Sequence, residues 1–356
     1  MTHRNDLPTP ALILDRAALD RNIAAMADFA REQVVALRPH AKTHKSADIA
    51  RRQIAAGAAG ICCAKLAEAE ALAEAGIANI HLTSPVVAPK AIARLAALGG
   101  RIALSVVVDH PDNARALGAD APGLTVFIDV DPGSHRTGVT SAAAAVALAR
   151  AIAATGNLRL GGVQYYCGSH QHIRSFAERR AAIVERTDYL RAVLAALRAA
   201  GFDVPIVTGG GTGTFAIDAS LGVFTELQVG SYIFLDREYM DCELAGPSFE
   251  PALFVDATVV SANTPGMVTI DSGLKAFATD AGVPVVVAGA PLETRYAFAG
   301  DEHGALSGAG LPGPGGRVTL IAPHCDPTVN LYDRYYVLDG AIVSEIWPVT
   351  ARGCSS

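Results

Sequence analysis

The sequence lacks the marks of several large protein classes. Its six cysteines, Cys62, Cys63, Cys167, Cys242, Cys325 and Cys354, form no CxxC pair and are too scattered for a disulfide scaffold or a structural zinc site. No stretch approaches the roughly 18 uninterrupted apolar residues of a membrane span. The opening "MTHRNDLPTPA" carries no apolar core of a secretory signal. Aromatic residues are only 6% and charged residues only 18% of the chain. Basic side chains number 29 against 35 acidic ones, a formal charge of −6, which argues against a nucleic-acid footprint. No G-x-G-x-x-G opens a helix after the first strand, which disfavours an open dinucleotide-binding sheet. The expectation is a cytoplasmic protein with reduced thiols and with neither a nucleic-acid nor a membrane partner.

What is present is apolar and periodic. Of 356 residues, 51% are hydrophobic, enough for a large core, although alanine swells the figure. Leu19, Ile23 and Met26 share one helical face. From there to about residue 240, eight short β-branched runs alternate with alanine-rich helical runs. They are "VVALRP", "GICCA", "NIHLT", "IALSVVV", "LTVFIDV", "LRLGGVQ", "VPIVT" and "ELQVGSYIF". Strand–helix alternation of this length predicts a (β/α)8 TIM-type barrel over residues 17–244. After about residue 245 the helical period vanishes. Short strands separated by Gly and Pro take over, which predicts a second, all-β C-terminal domain over 245–356. The N-terminal "PALIL" has no place in the barrel, so residues 1–16 are expected to join that β domain.

Several segments could carry chemistry, and each has a plainer reading as a solvated loop or a turn. "RPHAKTHKS" (38–46) lies at the C-terminal end of the first barrel strand, the end at which such barrels build active sites. If the strand continues, His40, Lys42 and His44 share a face. A lysine among cations and partly desolvated should have a lowered pKa and so act as an amine nucleophile. "TGGGTG" (208–213) holds Thr208, Gly210, Gly211, Thr212 and Gly213. "QVGSY" holds Gly230, Ser231 and Tyr232. The two follow the seventh and eighth strands, where barrel phosphate sites form. A phosphate opposite a lysine suggests pyridoxal 5′-phosphate. "DPGSHRTGV" brings Arg136 to the same rim, and "VQYYCGSHQH" brings Tyr165, Tyr166, His170 and His172. In "APHCDPTVNLYD", His324 and Asp326 are two apart. On extended chain they would project to one side, a plausible pair for a divalent metal.

Taken together, "TPALILD", "RPHAKTHKS", "GICCAKLAEAE", "HRTGV", "TGGGTGTF", "TELQVGSYIF", "IDSGLKA", "DEHG", "HCDPTVNLYD" and "WPVTARG" make the chain resemble the D-threonine aldolase and D-serine dehydratase group of fold-type III enzymes, nearly end to end. The resemblance implies Lys42 as the Schiff-base lysine and Arg136 beside the cofactor's phenolic oxygen. It implies Tyr166 at the pyridine nitrogen and His172 as the catalytic histidine near the metal. Gly210 to Gly213, with Gly230, Ser231 and Tyr232, would take the phosphate, and His324 and Asp326 would ligate the metal. Aldolases of the group carry His-x-Asp and use an ion such as manganese, with magnesium, cobalt or zinc as other candidates. The dehydratases carry His-x-Cys and use zinc. Asp326 therefore favours an aldolase acting on a β-hydroxy-D-amino acid, with β-elimination from D-serine or 3-hydroxyaspartate as the alternative. A homodimer is implied by analogy. The chain departs from the group's pattern at Ala64, His135, Thr137, Cys167 and His170, which bears on the side chain it prefers.

Overall fold

The computed structural model describes residues 2–356. Eight parallel strands, Ala36–Leu37, Ile61–Cys63, Asn79–Leu82, Ala103–Val108, Thr125–Val130, Arg159–Tyr165, Ile206–Gly209 and Glu226–Leu227, form one sheet. The last pairs with the first (Ala36 with Glu226), and a bridge from His40 to Cys62 joins the first to the second, so the sheet closes on itself. The eight apolar runs of the sequence are these strands. They read so clearly because a parallel strand is covered on both faces and needs no alternation. Ile80, Val106, Ile128 and Val163 are fully buried in the shell between strands and helices.

The helix Arg16–Glu32 shows how the outer layer is specified. Asp15 caps it, its carboxylate accepting from the Ala18 N–H at 3.0 Å. Leu19, Ile23 and Met26 are buried on one face. The inside of the barrel is more polar than the usual Val, Ile and Leu layers. Buried Gln164 donates to Asp129 at 3.0 Å and accepts from Gln228 at 3.2 Å, and Gln228 also donates to Thr208 at 3.0 Å. Below them Arg38 pairs with Glu226 at 3.0 Å.

The second layer is a nine-stranded sheet. Its long central strand Leu253–Thr264 pairs antiparallel with Ala11–Asp15, Met267–Ile270 and Arg317–Ile321. Ala11–Asp15 also pairs in parallel with Arg334–Asp339, so the N-terminal segment is an internal strand of this sheet. Two elements here escape the sequence pattern. Gly304–Ser307 is a strand, and Cys325–Val329 is a short helix within the His-x-Asp motif.

The two layers meet beside the barrel mouth. The Cys325 N–H donates to Asp236 at 2.7 Å, the Tyr335 hydroxyl to the His44 carbonyl at 2.6 Å, and the Ala351 N–H to the Lys45 carbonyl at 2.9 Å. These bonds hold the helix Cys325–Val329 against the turn that carries Lys42. No helix among the described residues is long and apolar enough to cross a membrane.

Candidate active site at the barrel mouth

The first barrel strand ends at Leu37, and Ala41–Thr43 is a 3₁₀ turn. The expected continuous strand face through His40, Lys42 and His44 is therefore corrected. His40 is still extended, and its Nδ1 accepts from the Lys42 N–H at 3.3 Å, which starts the turn. The turn sends Lys42 into a cavity of about 360 Å³ at the C-terminal end of the strands, which His40 also lines. His44 goes the other way and is fully buried, where burial pushes its imidazole down to about 4. His40 is likewise neutral, held low by burial and then by the Lys42 charge.

Lys42 Nζ pairs with the Asp326 carboxylate, which lies 284 residues later in the chain. Burial is the largest influence and opposes the ammonium form, but the Asp326 charge and hydrogen bond, with Tyr166 and Cys325, together outweigh it, so the Lys42 pKa is raised. The lowered amine pKa expected from neighbouring cations is thus corrected: the sequence hides the carboxylate that faces them. Asp326 is held well below the usual carboxylate range; its burial is overcome chiefly by Lys42 and then by His324.

Across the cavity, Tyr166 lies under Arg136, whose guanidinium carbon is 5.4 Å from the ring centroid. Burial raises the Tyr166 phenol, so it is a neutral hydrogen-bonding group. Gly211, Thr212, Gly230 and Ser231 form another wall. The two glycines leave no room for a side chain: a Cβ on Gly211 would lie 2.5 Å from Gln171, and one on Gly230 would lie 2.6 Å from Thr43 Oγ1. Thr43 Oγ1 is buried with no hydrogen-bond partner. Among the described residues the lining includes Lys42, Lys65 and Arg136 but no carboxylate. A cradle of glycines, three cations and no acid fits a phosphorylated pyridoxal.

Four residues expected in the cofactor site stand behind its wall. The Thr208 hydroxyl donates to Glu226 at 2.8 Å inside the barrel. Gly210 has a φ of +71° and a Cβ there would meet Asp218 at 2.6 Å, so it shapes the turn. Gly213 is packed on the Gln171 backbone. The Tyr232 hydroxyl accepts from Gln53 at 3.1 Å, although its N–H donates to Thr212 Oγ1 at 3.0 Å.

Asp326 adjoins the cavity through Lys42 and Ser231, and His324 stands beside it. They are placed by the start of a helix, with His324 at its N-cap, and the expected extended chain is not found. Their Nε2 and Oδ2 atoms are nevertheless 3.9 Å apart. One imidazole and one carboxylate at this separation can share a divalent ion and leave its other positions open. No cluster of three or more such ligands occurs among the described residues. His172 is partly exposed just beyond, its ring tilted at 49° to that of Tyr239 with centroids 4.6 Å apart, and its Nε2 lies 3.7 Å from Glu238. Burial lowers its pKa, which keeps a lone pair available near neutrality.

Sequence reasoning passed over Gln164, Gln228 and Tyr239, which line the cavity, and Glu238 and Asp280, which face His324. The glutamines had a signal, a lone polar residue near the C-terminal end of an apolar run. The acids had none, because only the fold brings them to His324.

This fold and site define a pyridoxal-phosphate enzyme of alanine racemase-like architecture. The chain belongs to the family of the alanine racemase N-terminal domain, matched over residues 14–238, followed by a putative serine dehydratase domain over 252–338. It is 40% identical to D-threonine aldolase of Arthrobacter sp. over 98% of this chain and 93% of that one. It is 38% identical, over the same shares, to 3-hydroxy-D-aspartate aldolase of Paracoccus denitrificans. The crystal structure of D-threonine aldolase from Filomicrobium marinum superposes with a TM-score of 0.96 at 40% identity, covering 99% of this chain and 98% of that one. The aldolase expectation drawn from the sequence agrees with these relatives.

Proposed function

We propose that this chain is a pyridoxal-phosphate- and divalent-metal-dependent lyase that cleaves β-hydroxy-D-amino acids of the D-threonine type to glycine and an aldehyde. The observation that carries the reading is the meeting of Lys42, from the barrel, with Asp326, from the β domain, at the mouth of a cavity free of acids. In this reading residues 17–244 hold the cofactor, and residues 1–16 with 245–356 supply the metal site.

Bound pyridoxal phosphate supplies an electron sink for the pair left on Cα, and a bound cation lowers the pKa of the β-hydroxyl. The chain's own residues do the rest. Lys42 anchors the cofactor. Gly211, Thr212, Gly230 and Ser231 receive its phosphate, and Arg136 and Tyr166 fix the ring. Gln171 supports the glycine wall, its side chain accepting from the Gly213 N–H at 3.0 Å and donating to Thr214 at 3.0 Å. His324 and Asp326 would hold the ion, with manganese the expected one and magnesium, cobalt or zinc as other candidates, because the pair joins a hard carboxylate to an imidazole that suits a transition metal. His172 takes the β-hydroxyl proton as the Cα–Cβ bond breaks and the aldehyde leaves, and a proton added at Cα completes glycine. A cytoplasmic homodimer completes the reading, in keeping with six free cysteines.

Metal removal tests it. Exhaustive chelation should abolish cleavage of D-threonine while the cofactor's visible absorbance persists, and manganese should restore turnover. Full activity after chelation would overturn the metal half of the reading.

A further inference from the structure

His324 has two ring nitrogens in different surroundings. Its Nδ1 lies 2.7 Å from Asp280 Oδ2, and its Nε2 lies 3.9 Å from Asp326 Oδ2. The other acid near Nδ1, Glu238, is 3.9 Å away, beyond hydrogen-bond reach. A carboxylate only accepts, so the proton on this side of the ring sits on Nδ1. In the neutral imidazole the lone pair is then on Nε2, the nitrogen that faces Asp326. We propose that Asp280 is a positioning residue that fixes the tautomer and orientation of His324, so that His324 ligates the divalent ion through Nε2. This rests on the reading of His324 and Asp326 as the metal pair.

The fold holds Asp280 in place without using its carboxylate. Asp280 lies between the strands Met267–Ile270 and Val285–Ala288. The Ala278 N–H donates to Thr328 Oγ1 at 3.0 Å, and that hydroxyl donates to the His324 carbonyl at 2.7 Å. The Tyr332 hydroxyl donates to the Ala276 carbonyl at 3.0 Å. The turn is thus tied by one bond to the helix Cys325–Val329 and by a second to Tyr332 just after it, both on other residues. The Asp280 side chain is itself 55% exposed, so removing it leaves no buried hole. The work left to that carboxylate is the bond to Nδ1. Without it, the ring is free to turn over or to place its proton on Nε2, and either change removes the ligand lone pair.

The test titrates manganese into the pyridoxal-phosphate-loaded protein by calorimetry, with wild type, Asp280→Ala, Asp280→Asn and His324→Ala side by side. Asp280→Ala should weaken manganese binding by about 10- to 100-fold, the usual effect of losing such a partner. Asp280→Asn, whose carbonyl still accepts, should recover part of the loss. Nitrogen spectra of histidine-labelled, metal-free protein should show the Nδ1–H tautomer for His324 in wild type and a shift towards Nε2–H in Asp280→Ala. Cofactor absorbance should be the same in all four. If His324→Ala loses manganese while Asp280→Ala binds it like wild type, or if the tautomer does not change, the inference is overturned. If His324→Ala binds manganese as tightly as wild type, the metal-pair reading fails first and takes the inference with it.

Discussion

Lys42 carries the account at the scale of the residue. Its ammonium is paired with Asp326, so the amine is not spontaneously nucleophilic in the cofactor-free chain. In the proposed reading, a cofactor held on Lys42 would free the Asp326 carboxylate to hold a cation. That one carboxylate would then couple the two proposed sites. Borohydride reduction of the loaded protein should fix the cofactor on the peptide containing Lys42, and Lys42→Ala should lose the bound cofactor's visible absorbance. Label on Lys65, which also lines the cavity, would contradict the assignment. The lysine itself could be singled out from its place at the end of the first strand. Its partner could not, because 284 residues separate them and no local period encodes that contact.

The glycine loop is the element proposed to tie fold to cofactor, and it rests on a buried acid. The Asp218 carboxylate accepts from Thr214 Oγ1 at 2.6 Å, and that hydroxyl also accepts from the Gly211 N–H at 3.2 Å. Burial pushes Asp218 up to about 7, with the Thr214 bond pulling the other way. A carboxyl raised on folding from its ordinary value of 3.8 binds a proton that the unfolded chain has released. Its contribution to stability is therefore fully present below about pH 4 and is lost as pH rises to about 7, with a slope of at most about 1.4 kcal/mol per pH unit. Asp218→Asn should remove this slope. Its melting temperature should gain on wild type between pH 5 and 7 and then hold a constant lead above pH 8. A lead that does not change with pH would refute the assignment. The glycine run and the strand before it were plain in the sequence, but Asp218 reads only as one polar residue in a helical stretch. Other elements were harder to see. The strand Gly304–Ser307 is four residues, with Leu306 its one large apolar side chain, too short for a period. The helix Cys325–Val329 includes Pro327, which the first turn of a helix tolerates but which reads as a break.

For the whole molecule, the barrel supplies the cavity and the β domain supplies His324 and Asp326, the pair proposed to hold the metal. The shared active site exists only where the two pack together. The alternation of apolar runs made both layers legible, because each strand type leaves its own pattern. The joint between them was not legible, since it is made by single bonds such as Cys325 to Asp236 and Tyr335 to His44. The central claim is that this joint places a metal-held β-hydroxyl beside the cofactor, so that a carbon–carbon bond breaks. The direct measurement is the product balance from D-threonine with protein loaded with pyridoxal phosphate and manganese. The account predicts acetaldehyde and glycine in equal amounts, with neither formed by His324→Ala. Ammonia and 2-oxobutanoate as the main products would show elimination of the hydroxyl and would contradict it.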